Sequence, residues 1–118
     1  MSHAMSRARA KTRARESGRA PVFAALGDET RLSLIGQLSS GPPQSISRLA
    51  RGSRLTRQAI TKHLRVLERA GVVDSVRVGR EQQFAFRPER LNEARDYLAR
   101  VSDQWERVLT RLKAFVEN

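Results

Sequence analysis

The chain of 118 residues contains no cysteine, and histidine occurs only at His3 and His63. The first absence excludes a disulfide framework, a thiolate nucleophile, a zinc finger and a thiol sensor for soft metals. The second leaves too few imidazoles for a histidine-rich metal site, so neither a metal nor a cofactor is expected. No apolar run approaches the roughly 18 residues of a membrane span, and no membrane partner is expected either. A glycine-rich phosphate loop is also missing and His63 has no evident catalytic partner, which argues against an enzyme. The first residues lack the apolar core of a signal peptide, and Met1-Ser-His-Ala-Met5, which reads as a cloning remnant, is set aside. A soluble chain without cysteine fits a reducing cytoplasm, the location expected.

Positive charge is what the sequence has in excess. Lys and Arg number 23 against 12 Asp and Glu, a formal net charge of +11. Arg supplies 20 of those 23, and its planar guanidinium suits phosphate and guanine. A surplus of this size creates a long-range field that favours polyanions, so nucleic acid heads the possible partners. Residues 1–20 hold six basic side chains against Glu16 and almost no large apolar one. They cannot bury enough surface to offset their ordering entropy and are expected to form a flexible basic arm. The remainder is basic without it, with 17 basic and 11 acidic residues, and its size allows one modest core.

The core is expected over residues 21–87. Pro21 suits the first turn of a short helix facing inward with Val22, Phe23 and Leu26 and ending at Gly27. Asp28 can cap a second helix with Leu32, Ile35 and Leu38 on one face, stopped by Ser39-Ser-Gly-Pro-Pro43. Ser45 can cap a third carrying Ile46, Leu49 and Ala50, ended by Gly52. Thr56 can cap a fourth carrying Ile60, Leu64, Leu67 and Ala70, ended by Gly71. The period then changes from helical to alternating: Val72, Val73, Val76 and Val78 precede Gly79-Arg80, and Phe84 and Phe86 follow, which predicts a β-hairpin with a basic tip.

From Pro88 to the end, Leu91, Ala94, Leu98, Val101, Trp105, Val108, Leu112 and Phe115 alternate at three and four residues. That is a heptad seam, too long for so small a core to cover, and it predicts a dimerisation helix over 88–118. Its expected interface residues are Leu91, Leu98, Val101, Trp105, Val108 and Leu112. Trp105 could instead line an effector pocket, but its place on the seam favours the dimer core. The stretch is electrically neutral, with six basic and six acidic residues between Glu89 and Glu117, so it is not aimed at DNA. Asp96 with Arg100 and Asp103 with Arg107 stand at helical ion-pair spacing.

A helix, tight turn and second helix, a basic hairpin and a self-pairing terminal helix together describe a mainly α winged helix-turn-helix with a small β-hairpin, dimerising through terminal helices. On the fourth helix the apolar face leaves Arg57, Gln58, Thr61, Lys62 and Arg65 on the other side. Arg and Lys can donate to guanine, Gln can pair with adenine, and Thr can meet a base edge or a thymine methyl. The expected double-stranded DNA site is Thr56, Arg57, Gln58, Thr61, Lys62, His63 and Arg65, with Arg77 and Arg80 on the hairpin. His63 enters this set as a packing or phosphate-contacting residue, not as a metal ligand. Charge alone does not separate duplex DNA from RNA, so a nucleoid-associated or RNA-binding winged helix is the alternative. Grouping of Arg57, Gln58 and Thr61 on one turn favours sequence-specific DNA.

The run Phe23-Ala-Ala-Leu-Gly-Asp-Glu-Thr-Arg-Leu32, the run from Leu55 through Thr-Arg-Gln-Ala-Ile-Thr-Lys-His-Leu to Val73, and Val78-Gly-Arg-Glu81 closely resemble the ArsR family of repressors. The resemblance implies a homodimer on an imperfect inverted repeat that blocks transcription until a small-molecule or protein effector releases it. It also implies that the helix from Thr56 is the recognition helix and that the hairpin from Arg77 to Arg80 is the wing. Metal-sensing members place paired Cys where this chain has Ser47-Arg-Leu-Ala-Arg-Gly52, or Asp and His on the last helix, where this chain has no His. It therefore resembles a cysteine-free branch that does not sense metals.

If the seam pairs two copies, Val101→Glu or Trp105→Glu gives a monomer in sedimentation equilibrium and loses tight DNA binding with the dimer. A monomer that still binds tightly would refute that coupling.

Overall fold

The computed structural model describes residues 19–117. The expected basic arm, apart from its last two residues, lies outside them. Helix α1 spans Ala20–Leu26 with Pro21 in its first turn, where a missing N–H costs nothing, and it ends at Gly27. Helix α2 spans Glu29–Ser39 and is capped by Asp28, whose carboxylate accepts the Arg31 backbone N–H at 3.0 Å. That bond, with His63 and Arg31 nearby, outweighs desolvation and holds the Asp28 carboxyl below its ordinary range.

Strand β1, Gln44–Ser45, leads into helix α3, Ile46–Ala50, which Ser45 caps by accepting the Arg48 N–H at 3.2 Å. Helix α4, Arg57–Arg69, follows a turn and is capped by Thr56. It closes in a Schellman arrangement: Gly71 N–H donates to Glu68 O and Val72 N–H to Leu67 O, both at 3.0 Å. Gly71 has φ +80°, a conformation that favours glycine, and a β-carbon there would also come within 3.1 Å of the Arg90 side chain, which would have to shift.

Strands β2, Val73–Val78, and β3, Glu81–Phe86, form the hairpin. Their register pairs Val78 with Glu81 across Gly79-Arg80. Positive φ falls at Gly79 and not at Arg80, as a type II′ turn requires. Helix α5, Pro88–Glu117, completes the chain and at 30 residues is about 45 Å long.

The sheet is antiparallel with order β1-β3-β2, so the expected hairpin is joined by a third strand, Gln44 facing Phe84 and Ser45 facing Gln83. Two residues carry no readable alternation, which is why β1 was not foreseen. The buried core collects Val22 and Ala25 from α1, Leu34 and Leu38 from α2, Leu49 from α3, Ile60, Leu64 and Leu67 from α4, and Phe84 from the sheet. The expected face of α2 needs correction, because Leu34 is buried and Leu32 is 45% exposed. Steps of three drift by about 60° each at 100° per residue, so Leu32 and Leu38 stand some 120° apart, whereas Leu34 and Leu38 nearly superpose. Arg31 shares the inward side with them. On α5, Arg95 approaches Asp96 and Arg107 donates to the Asp103 carbonyl, in place of the carboxylate pairing that the spacing suggested.

Asp28→Ala lowers the urea midpoint at pH 7. Because the folded carboxyl titrates below the unfolded one, the charged form's contribution is complete above about pH 4 and fades as pH falls through the lower folded value. The gap between the two stability curves therefore narrows in acid. A gap that stayed constant well below pH 3 would show that the charge contributes nothing.

Candidate nucleic-acid interface

Ile60, Leu64 and Leu67 are essentially inaccessible to water, and three residues at this spacing fix the rotation of α4. Arg57, Gln58 and Lys62 consequently lie exposed on its far side, with Thr61 half-buried beside them. Together with Ile46 at the start of α3 they line one shallow groove. Thr56, itself exposed, starts the helix that carries this surface, its Oγ1 accepting the Ala59 N–H at 3.1 Å. Thr61 donates its hydroxyl hydrogen to the Arg57 carbonyl at 2.7 Å, which leaves its oxygen lone pairs and methyl as contact chemistry.

Two residues of the expected site face elsewhere. His63 is half-buried, with Nδ1 3.3 Å from Arg31 Nη1 and 3.7 Å from Asp28 Oδ2. Because a guanidinium can only donate, the Arg31 contact uses His63 Nδ1 as the acceptor. Arg31 also donates from Nε to the Ala25 carbonyl at 2.6 Å and from Nη2 to that of Ala24 at 3.3 Å. One guanidinium thus closes the end of α1 and ties it to α4, a role that the sequence reading did not assign to it. Arg65, about 160° around the helix from His63, turns toward the hairpin: Nη1 donates to Glu68 Oε1 at 2.7 Å and Nη2 to Gln82 Oε1 at 2.8 Å.

The hairpin presents Arg77 and Arg80 in the open, the former donating from Nε to the Gly79 carbonyl at 3.4 Å. Register puts Ser75, Arg77, Gln82 and Phe84 on one face and Val76 and Val78 on the other. Between Ser45 and Gln82 nine basic residues stand against three acidic ones. Glu68 is paired with Arg65, and Asp74 with Arg87 at 2.6 Å, so two of the three acids have their charge compensated locally. The field over the groove stays positive.

On α5, Leu91 packs half-buried against the core of its own chain, while Leu98, Val101, Trp105, Val108 and Leu112 are exposed. Tyr97 holds the root of the helix to α1, its ring tilted against that of Phe23 at 6.2 Å between centroids and lying under the Arg19 guanidinium. Among the described residues no cluster of His, Asp or Glu could hold a metal ion, and no helix is long and apolar enough to cross a membrane.

Helix, turn, helix and basic hairpin define a winged helix-turn-helix DNA-binding regulator. The sequence matches the helix-turn-helix domain family over residues 26–76. The HTH-type transcriptional regulator YuzN of Bacillus subtilis is 40% identical over 76 residues, covering 59% of this chain and 83% of YuzN. The HTH-type transcriptional regulator Rv2034 of Mycobacterium tuberculosis is 31% identical over 97 residues, covering 82% of this chain and 87% of that one. A solved ArsR-like transcriptional regulator from Rhodococcus sp. RHA1 is 40% identical with a TM-score of 0.74, covering 85% of this chain and 93% of its own. The chain belongs to the ArsR family of transcriptional regulators.

His63→Ala costs about 1 kcal/mol of stability, the worth of a partly buried hydrogen bond, and leaves base preference untouched. Thermal melts and competition between duplexes measure the two effects. A changed preference without a changed melt would return His63 to the DNA face.

Proposed function

We propose that this regulator is a repressor that binds an inverted-repeat operator as a homodimer. The observation that carries the reading is the groove formed by Ile46, Arg57, Gln58, Thr61 and Lys62, the exposed side of a helix whose other side is fixed in the core. Arg57 and Lys62 can donate to guanine O6 and N7, Gln58 can bond adenine at N6 and N7, and Thr61 can meet a thymine methyl. The exposed Arg77 and Arg80 suit phosphate or the minor groove beside it.

A homodimer is supported by α5, where Trp105 is 58%, Leu112 56% and Phe115 81% exposed in the single chain. An apolar stripe of this kind on a neutral helix is stabilised by a second copy. Two copies related by a twofold axis would set two recognition helices into successive major grooves, which is why the operator is read as an inverted repeat. A blocked promoter follows from occupancy of such a site.

Selection of bound fragments from a random duplex library at near-physiological salt tests the reading. The expected result is an enriched inverted repeat with half-sites about one helical turn apart. Arg57→Ala, Gln58→Ala or Thr61→Ala then relaxes preference by about 1–3 kcal/mol at single base pairs, while Arg80→Ala weakens all sequences alike and flattens the salt dependence. No enrichment, with binding that only tracks salt, would replace the operator with a nucleoid-associated or RNA-binding role.

A further inference from the structure

Four side chains join the recognition helix to the wing. Arg65 of α4 donates to Glu68 Oε1 at 2.7 Å and to Gln82 Oε1 at 2.8 Å on β3. Glu68 in turn accepts the Ser75 hydroxyl of β2 at 2.5 Å through its other oxygen. The Arg65 guanidinium also stands 5.7 Å from the centre of the buried Phe84 ring. Both strands of the hairpin are therefore tied to one turn of α4, at the level where the hairpin leaves the core. Beyond it Val76, Val78, Gly79 and Arg80 are exposed.

We infer that Arg65, Glu68 and Ser75 form a brace that sets the wing's angle to the recognition helix, and that Arg65 is a positioning residue and not a reader of bases. Two of its five N–H donors are committed to protein acceptors, and these bonds hold the guanidinium plane toward Glu68 and the hairpin. Arg77 and Gln82 are directly opposed in the register. The strand that the brace holds at Gln82 thus carries the arginine beside it toward the same face. Helix and wing must meet one duplex together, so a fixed angle between them lowers the ordering cost of the second contact. Such a brace governs affinity through the wing, without contacting DNA.

The inference deepens the operator reading, on which its binding assay rests; its second assay does not need it. The full chain and its variants Arg65→Ala, Glu68→Ala and Ser75→Ala, each with and without Arg80→Ala, are titrated against a fluorescent duplex. The probes are the most enriched selected sequence and a random-sequence duplex. Once Glu68 or Ser75 is replaced, the affinity lost through Arg80→Ala shrinks to within about twofold, the scatter of independent sites. Glu68→Ala weakens binding, although it removes a negative charge from a surface that binds a polyanion. Arg65→Ala leaves the order of base preferences unchanged. Losses that multiply, tighter binding by Glu68→Ala, or relaxed preference at one base pair in Arg65→Ala would overturn the brace. In the DNA-free chain, amide exchange at β2 and β3 quickens in Glu68→Ala and Ser75→Ala while that of α2 does not. Unchanged exchange at the hairpin also overturns it. Quickened exchange together with a silent Arg80→Ala supports the brace and refutes only the wing's contact with DNA.

Discussion

Burial of one face of α4 is the constraint on which the rest of the structure depends. Ile60, Leu64 and Leu67 enter a core built from α1, α2, α3 and the sheet, and none of them can turn outward without exposing a large apolar side chain to water. A helix held in this way has no rotational freedom. Arg57, Gln58 and Lys62 are then directed outward by geometry and not by any contact of their own. Their presentation begins with apolar packing on the opposite side of the helix.

Charge follows the same division. Arg31 turns inward and spends its donors on the carbonyls of Ala24 and Ala25, Arg65 on Glu68 and Gln82, and Arg87 on Asp74. These three arginines knit elements together. The ion pairs among these contacts, Arg65 with Glu68 and Arg87 with Asp74, are partly exposed and add little to stability, so their main consequence is orientational. The arginines at 57, 77 and 80 face solvent instead, and the compensation of Glu68 and Asp74 keeps negative potential away from them. A strongly basic composition therefore separates into structural cations and cations available to a polyanion.

Helix α5 adds a different kind of incompleteness. Its first turns carry Leu91 and Ala94 against the core, and Tyr97 against α1, but from Leu98 onward its apolar stripe extends past the rest of the chain. Pairing that stripe with a second copy would link two recognition helices on one duplex, and binding by both together is tighter than by either alone. The neutral charge of the helix suits this, since a basic α5 would repel its twin.

The elements were legible where periodicity and capping agreed. Asp28, Ser45 and Thr56 open helices, Gly27 and Gly71 close them, and Gly79-Arg80 makes the turn of the hairpin, because each of these is decided within a few residues of backbone. Amphipathic spacing also settled the outward direction of Arg57, Gln58 and Lys62. What depends on the third dimension was not legible: the pairing of Gln44-Ser45 with β3, the inward turn of Leu34 in place of Leu32, and the partners of His63 and Arg65. A spacing of side chains along one helix states which of them share a face, but not which face meets a neighbour 32 or 17 residues away in the chain. The sequence by itself determined a basic winged helix-turn-helix with a long terminal helix bearing an apolar seam, since local backbone preferences and hydrophobic period suffice for that. Only the tertiary structure decided which basic side chains stay exposed and which hold the protein together, because hydrogen bonds between distant elements, and not residue type, make that distinction.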